Sequence, residues 1–376
     1  MFKNLDEKSK RMLLLLAGVV GFFIFIILIV WIVGLFRNSS LTYTEMEEKM
    51  VSAAKEYYSS SDNLLPINDG ESYEINASTL AELEYIKPLI EYQKDESVAC
   101  SGKVTVTKNG EYYSYAPYLN CGDKYTTQFL YEKLINQVVS KDDGLYKTTE
   151  QFEDDGKKTA YIYKGDYANN YLKIDESLWR IVKIDSNFNL VITEENYNIE
   201  IGYNDAWDNR YNSELNERVG INDYYKSIIR TKIIEYYNTL PEILKEKTVS
   251  RNLCVGTRSL NDTNKDGSVE CSKILENQYV GLLNTHDYMN ASLDVNCKTI
   301  KDKACSNYNY LTSYERSFWL LNPNKENIGK GYKYSAGAII DSKLSSSSRG
   351  RVVVGITKDS IYVSGTGTYN DPYIVR

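Results

Sequence analysis

Residues 12–36, MLLLLAGVVGFFIFIILIVWIVGLF, form an unbroken run of apolar residues and glycines, with Arg11 before it and Arg37 after it. A hydrocarbon core about 30 Å thick takes roughly 20 apolar residues in a helix, and this run exceeds that without a single charge. It therefore predicts a helix that spans a membrane and fixes where the rest of the chain must fold. A cleaved secretory signal would have a shorter apolar core, roughly 7–15 residues, ending at small residues. Here the sequence continues RNSS, so the run reads as an uncleaved anchor. Lys3, Lys8, Lys10 and Arg11 crowd the short N-terminal side, whereas Arg37, Lys49 and Lys55 are spread out beyond the run. Basic residues near the ends of a span set its orientation. Residues 1–11 are accordingly expected to be a cytoplasmic tail, and everything after about residue 37 to face outward. Gly18 and Gly21 miss the small-xxx-small spacing of a close helix-packing face by one residue.

The cysteines agree with that orientation. Cys100, Cys121, Cys254, Cys271, Cys297 and Cys305 all follow the run. An even number in an extracytoplasmic chain reads as disulfides, and six cysteines allow about fifteen connectivities. The spacing favours the local pairs Cys100 with Cys121, Cys254 with Cys271, and Cys297 with Cys305. Zinc fits poorly, because no C-x-x-C pair occurs and His286 is the single histidine. The net charge of −7, with no concentrated basic stripe, argues against nucleic acid as a partner. The length after the anchor is enough for two domains of ordinary size.

Outside the apolar run, Thr42 and Glu45 have the spacing of a capping box, and Met46, Met50, Ala53, Ala54 and Tyr57 recur at helical spacing. A helix is expected to about Tyr58, and a second, short one from near Thr79 to before Pro88. Alternating β-formers then flank Asn109 and Gly110, the strongest short-range hairpin signal. That turn would bring Cys100 and Cys121 almost level at the open end of the ribbon. Residues 40–140 thus read as a membrane-proximal helix and hairpin module. The stretch 141–158, KDDGLYKTTEQFEDDGKK, reads as a charged linker. Beyond it, residues 160–163, 178–184 and 190–193 read as strands and 224–237 as a helix. The expected class is α+β: a transmembrane helix, a small helix-plus-hairpin module, then a loop-rich mixed domain over 159–376.

The first module resembles a pilin-type subunit in layout, although the glutamate that a pilin signal places at its fifth mature position is missing after Gly21. The second half carries an ordered set of motifs: LWRIV at 178–182, GLL at 281–283 followed by Asp287 and Tyr288, and GTGTYNDPYIV at 365–375. This set resembles an uncharacterised extracytoplasmic domain of surface proteins in low-GC Gram-positive bacteria, which is distantly similar to the C-type-lectin-like superfamily and its formylglycine-generating enzymes. The resemblance implies short strands, few helices and much loop, closed by the terminal strands, and it carries no activity over.

Asp262, Asn264, Asp266, Ser268 and Glu270, with Gly267 at position six, match much of a calcium-binding loop. Position twelve is Lys273 instead of a bidentate acid, so an Asx-rich turn competes with a Ca²⁺ site. Trp207, among Asp205, Asn209 and Arg210, is expected to be an exposed aromatic in a polar setting, suited to a sugar or a peptide. Trp179 and Trp319, flanked by Leu, Ile and Phe, are expected in the core. His286 reads as a loop or surface histidine beside Asp287, and no recognisable nucleophile motif accompanies it. The chain is thus expected to be a single-pass surface protein with an extracellular binding domain for a cell-surface glycan or protein. Self-assembly into a pilin-like or envelope structure is the alternative, and no catalytic residue or cofactor other than possible Ca²⁺ is expected.

Overall fold

The computed structural model describes residues 18–22, 24–26, 40–60, 62–93, 95, 97–151, 156–195, 206–312 and 317–376. Residues 18–22 and 24–26 are helical. The remainder of the apolar run 12–36, and the tail 1–11, lie outside the described residues. No helix among the described residues is long and apolar enough to cross a membrane. The fold is mixed α and β, with more strand than helix. Two compact units are formed, one from Met1–Ser60, Ile75–Val104 and Pro117–Thr126, the other from Ser61–Glu74, Thr105–Ala116 and Thr127–Arg376.

The first unit is built on the helix Tyr43–Ser59. Its capping box forms as the spacing requires: the Glu45 amide donates to Thr42 Oγ1 at 3.2 Å, and the Thr42 amide donates to the Glu45 carboxylate at 2.7 Å. The periodic face is buried at Met46, Met50, Ala53 and Ala54. Glu47 is buried as well, and Tyr125 donates to its carboxylate at 3.0 Å. The second helix, Ala77–Glu82, starts after Asn76 and not at Thr79, so Thr79 lies inside it. Cys100 and Cys121 are bonded.

Strands Ser101–Asn109 and Tyr112–Asn120 form the expected hairpin, with Ser72–Asn76 alongside the first of them. The two turn residues are Gly110 and Glu111, one position later than expected. Asn109 is held in the strand because its buried amide donates to Ser114 Oγ at 3.1 Å and to the Glu246 carbonyl at 2.9 Å. Gly110 takes φ +63°, the left-handed value that a two-residue turn with glycine in first place requires.

In the second unit, among the described residues, a ten-stranded sheet contains the path Val280–Leu282, Val352–Ile356, Leu190–Glu194, Ser177–Ile184, Tyr171–Ile174, Tyr373–Val375 and Tyr362–Ser364. Neighbours far apart in sequence are joined: Val354 lies opposite Ile192, and Tyr373 pairs in parallel with Leu172. A four-stranded sheet runs Ala338–Lys343, Lys330–Ser335, Phe318–Pro323 and Arg349–Gly350. Strand Leu190–Glu194 is buried along its whole length, and so is nearly all of Ser177–Ile184, so both faces of this part of the sheet are covered. Trp179 and Trp319 are fully buried, as their apolar neighbours implied. The helix expected at 224–237 is a 3₁₀ turn, Tyr224–Lys226, followed by Ile228–Thr239, because Ser227 Oγ caps the second by accepting from the Arg230 amide. The stretch expected as a linker contains a strand: Gly144–Gln151 pairs in unbroken register with Lys157–Lys164. Its polar composition belongs to a strand in which Leu145 and Glu150 are buried while Lys147 and Thr149 stay exposed.

Candidate functional site

Trp207 is not exposed. It is 1% accessible, and its indole N–H donates to the Leu320 carbonyl at 3.2 Å. Two of its polar neighbours are satisfied within the chain: buried Asp208 accepts from Arg210 Nε at 2.8 Å and from the Ile221 amide at 2.8 Å. Arg210 is thereby tied inward, also donating to the Asp223 carbonyl, while Asn209 is exposed. Asp205 lies outside the described residues. Trp207 therefore offers no face to a ligand.

The 262–270 loop is a ladder of Asx turns. Asp262 Oδ1 accepts from the Asn264 amide at 2.8 Å, Asn264 Oδ1 from the Asp266 amide at 2.8 Å, and Asp266 Oδ1 from the Ser268 amide at 3.0 Å. Lys157 pairs with the other Asp266 oxygen. Glu270 turns away from these acids into the interior, where it accepts from Arg258 Nη1 at 2.5 Å and from Thr285 Oγ1 at 2.5 Å. The fully buried Arg258 also donates through Nη2 to the carbonyls of Asp262 and Asn264, at 3.1 and 2.5 Å. The loop is thus wrapped on a guanidinium. Cys254 and Cys271 close it, and Cys297 and Cys305 staple a second loop. Among the described residues, no group of three or more His, Cys, Asp or Glu is arranged to hold a metal ion.

The first unit holds an open groove of about 630 Å³. Its walls come from Ala77 and Ala81 of the helix, Pro88, Leu89 and Ile90 after it, and Gly102 at the start of the strand. The two alanines add little bulk to its helical wall. Ile90, 47% exposed, stands at its lip. A volume of this size with a mostly apolar lining is typical of ligand pockets.

The second unit contains a closed ring of four buried ionisable groups drawn from three elements. Lys183, on Ser177–Ile184, donates from Nζ to Asp287 Oδ1 at 2.7 Å. Asp287 Oδ1 is 3.4 Å from His286 Nδ1, and both belong to the helix Thr285–Asn290. His286 Nε2 is 3.2 Å from Glu150 Oε1, and Glu150 Oε2 is 3.7 Å from Lys183 Nζ. None of the four side chains is more than 6% exposed. Burial opposes a charged imidazole, but Glu150 and Asp287 outweigh it and raise His286 to about 9. Burial likewise works against an ionised Asp287, yet Lys183 and His286 hold it well below the usual carboxylate range. A cavity of about 30 Å³, room for a water molecule, adjoins Lys183, His286 and Asp287.

The expectation of a loop or surface position for His286 is overturned, since it is 2% exposed and sits in a helix. Glu150 was missed because it falls in the stretch read as a linker. One signal was available. Lys183 interrupts an apolar strand run, and a lysine is almost never fully buried unless it is paired. No protein-family model, curated protein or solved structure matches this chain.

Proposed function

We propose that this chain is a membrane-anchored, outward-facing binding protein, held by residues 12–36, whose first unit takes an apolar segment of a protein partner in the groove beside the helix Ala77–Glu82. The observation that carries the outward orientation is the pairing of all six cysteines into three local disulfides. Such bonds persist in oxidising compartments and are rare in the cytosol. The groove's volume, its apolar walls and the exposed Ile90 at its lip support the binding role. The parallel pairing of Tyr373–Val375 with Tyr171–Ile174, which closes the second unit with a late strand, supports a C-type-lectin-like reading of that unit.

Two measurements test the proposal. On intact cells under reducing conditions, a membrane-impermeant maleimide should label the released thiols; labelling only after lysis would overturn the orientation. In the purified full chain, an apolar fluorescent probe such as anilinonaphthalene sulfonate should bind, and Ala81→Trp, which fills the groove, should abolish that binding. Unchanged probe binding in the folded variant would overturn the groove as the site.

A further inference from the structure

We propose that Lys183 and Asp287 condense into an intramolecular amide that ties strand Ser177–Ile184 to helix Thr285–Asn290, with Glu150 and His286 carrying the protons. The Lys183 amine lies 2.7 Å from Asp287 Oδ1, the oxygen bonded to the carbon it would attack. Two groups fixed this way react as if at effective molarities of roughly 10⁵–10⁸ M. Both are nearly inaccessible, at 6% and 5% exposure. Keeping an ion pair out of water is costly, so replacing two charges by one neutral amide removes a penalty, and burial protects the product.

The ring supplies the route for protons. Starting from the ammonium and the carboxylate, Glu150 Oε2 takes a proton from Nζ. The proton passes from Oε1 through His286, Nε2 to Nδ1, to Asp287 Oδ1. The freed lone pair attacks Cγ, forming the C–N bond and a tetrahedral centre, and the adjacent imidazole stabilises the charge on oxygen. A second proton leaves the nitrogen by the same path, the C–O bond breaks, and water departs. One ammonium and one carboxylate become one amide and one water, with no oxidant and no cofactor. The cavity of about 30 Å³ beside the reacting atoms matches the leaving molecule. The product keeps one N–H facing Glu150 and one C=O facing His286, so neither new polar atom is stranded.

The test is the intact mass of the full chain, purified from membranes and fully reduced, against the 43.1 kDa sequence. The wild type should weigh about 18 Da less, one water, and a proteolytic digest should contain a branched peptide joining residue 183 to residue 287. Asp287→Asn should reach the same product by losing ammonia. Glu150→Gln, checked for folding by circular dichroism, should keep the full sequence mass. A wild type at full mass overturns the proposal, as does a water loss that maps elsewhere. A folded Glu150→Gln variant that still loses water overturns the proton route.

Discussion

Replacing Arg258 by methionine is the most informative single perturbation, because one buried guanidinium both neutralises Glu270 and organises the 262–270 loop. Arg258 and Glu270 are both fully buried, with Nη1 at 2.5 Å from Oε1. Arg258→Met leaves that carboxylate in the interior with Thr285 as its remaining donor on this oxygen. Uncompensating a buried pair in this way costs about 3–5 kcal/mol. The loss of the bonds to the Asp262 and Asn264 carbonyls adds less, since water reaches part of that loop. For a unit of this size each kcal/mol lowers the melting point by roughly 2–4 °C, so Arg258→Met should melt about 10 °C below wild type. Substituting both partners by apolar residues of similar volume is often neutral or stabilising. Arg258→Met with Glu270→Leu should therefore recover most of the loss, giving a coupling on the order of 3 kcal/mol in a double-mutant cycle. The assay is thermal unfolding of the detergent-solubilised full chain followed by near-ultraviolet circular dichroism. A single variant melting within about 2 °C of wild type, or a double variant no better than the single, would mean that Arg258 does not offset a buried charge on Glu270.

Calcium added to the wild type in a calorimeter should release no heat at millimolar concentration, because Arg258 already occupies the loop carbonyls; a saturable heat lost in Asp262→Ala, Asp266→Ala would contradict this. Gly110→Ala should destabilise the hairpin by about 1–2 kcal/mol through its positive φ, with more from a Cβ placed 2.8 Å from the Tyr279 hydroxyl; urea unfolding measures it. Burial raises Glu194 to about 7, against the opposing bond from Tyr236 and the charge of Arg351. A folded pKa above the unfolded one means the native state binds the extra proton, so this group's contribution is intact below about pH 4.3 and falls as pH rises to 7. Glu194→Gln should accordingly match wild type at pH 4 and melt higher at pH 8; parallel melting curves at both pH values would count against it.

What could be read from the sequence was whatever rests on close neighbours in the chain. The Thr42 and Glu45 cap, the run that becomes Ser177–Ile184, and the three disulfides all involve partners within reach of local pattern or short spacing. At Trp207 polarity along the sequence is not polarity in space: Asp208 and Arg210 face each other and the backbone, and the indole goes inward. Asn109 shifted the turn by one position through a bond to Glu246, 137 residues away. The ionic ring was illegible for the same reason, since Lys183 meets Asp287 across 104 residues. Pattern identifies which charges are out of place and leaves their partners undetermined.

The spans of the covalent and non-covalent closures imply an order of events during biogenesis. The disulfides join cysteines 21, 17 and 8 residues apart. The pairing of Tyr373 with Leu172 closes a loop of about 200 residues, whose entropy must be met before any long-range contact rewards it. Each thiol therefore finds its partner on a chain that is still largely extended, with little opportunity for mispairing, while the sheet waits for its most distant strand. The short spans allow oxidation to precede closure of the sheet. An amide between Lys183 and Asp287 belongs to the second step, and its mass signature would date the moment at which each newly made molecule completes its sheet.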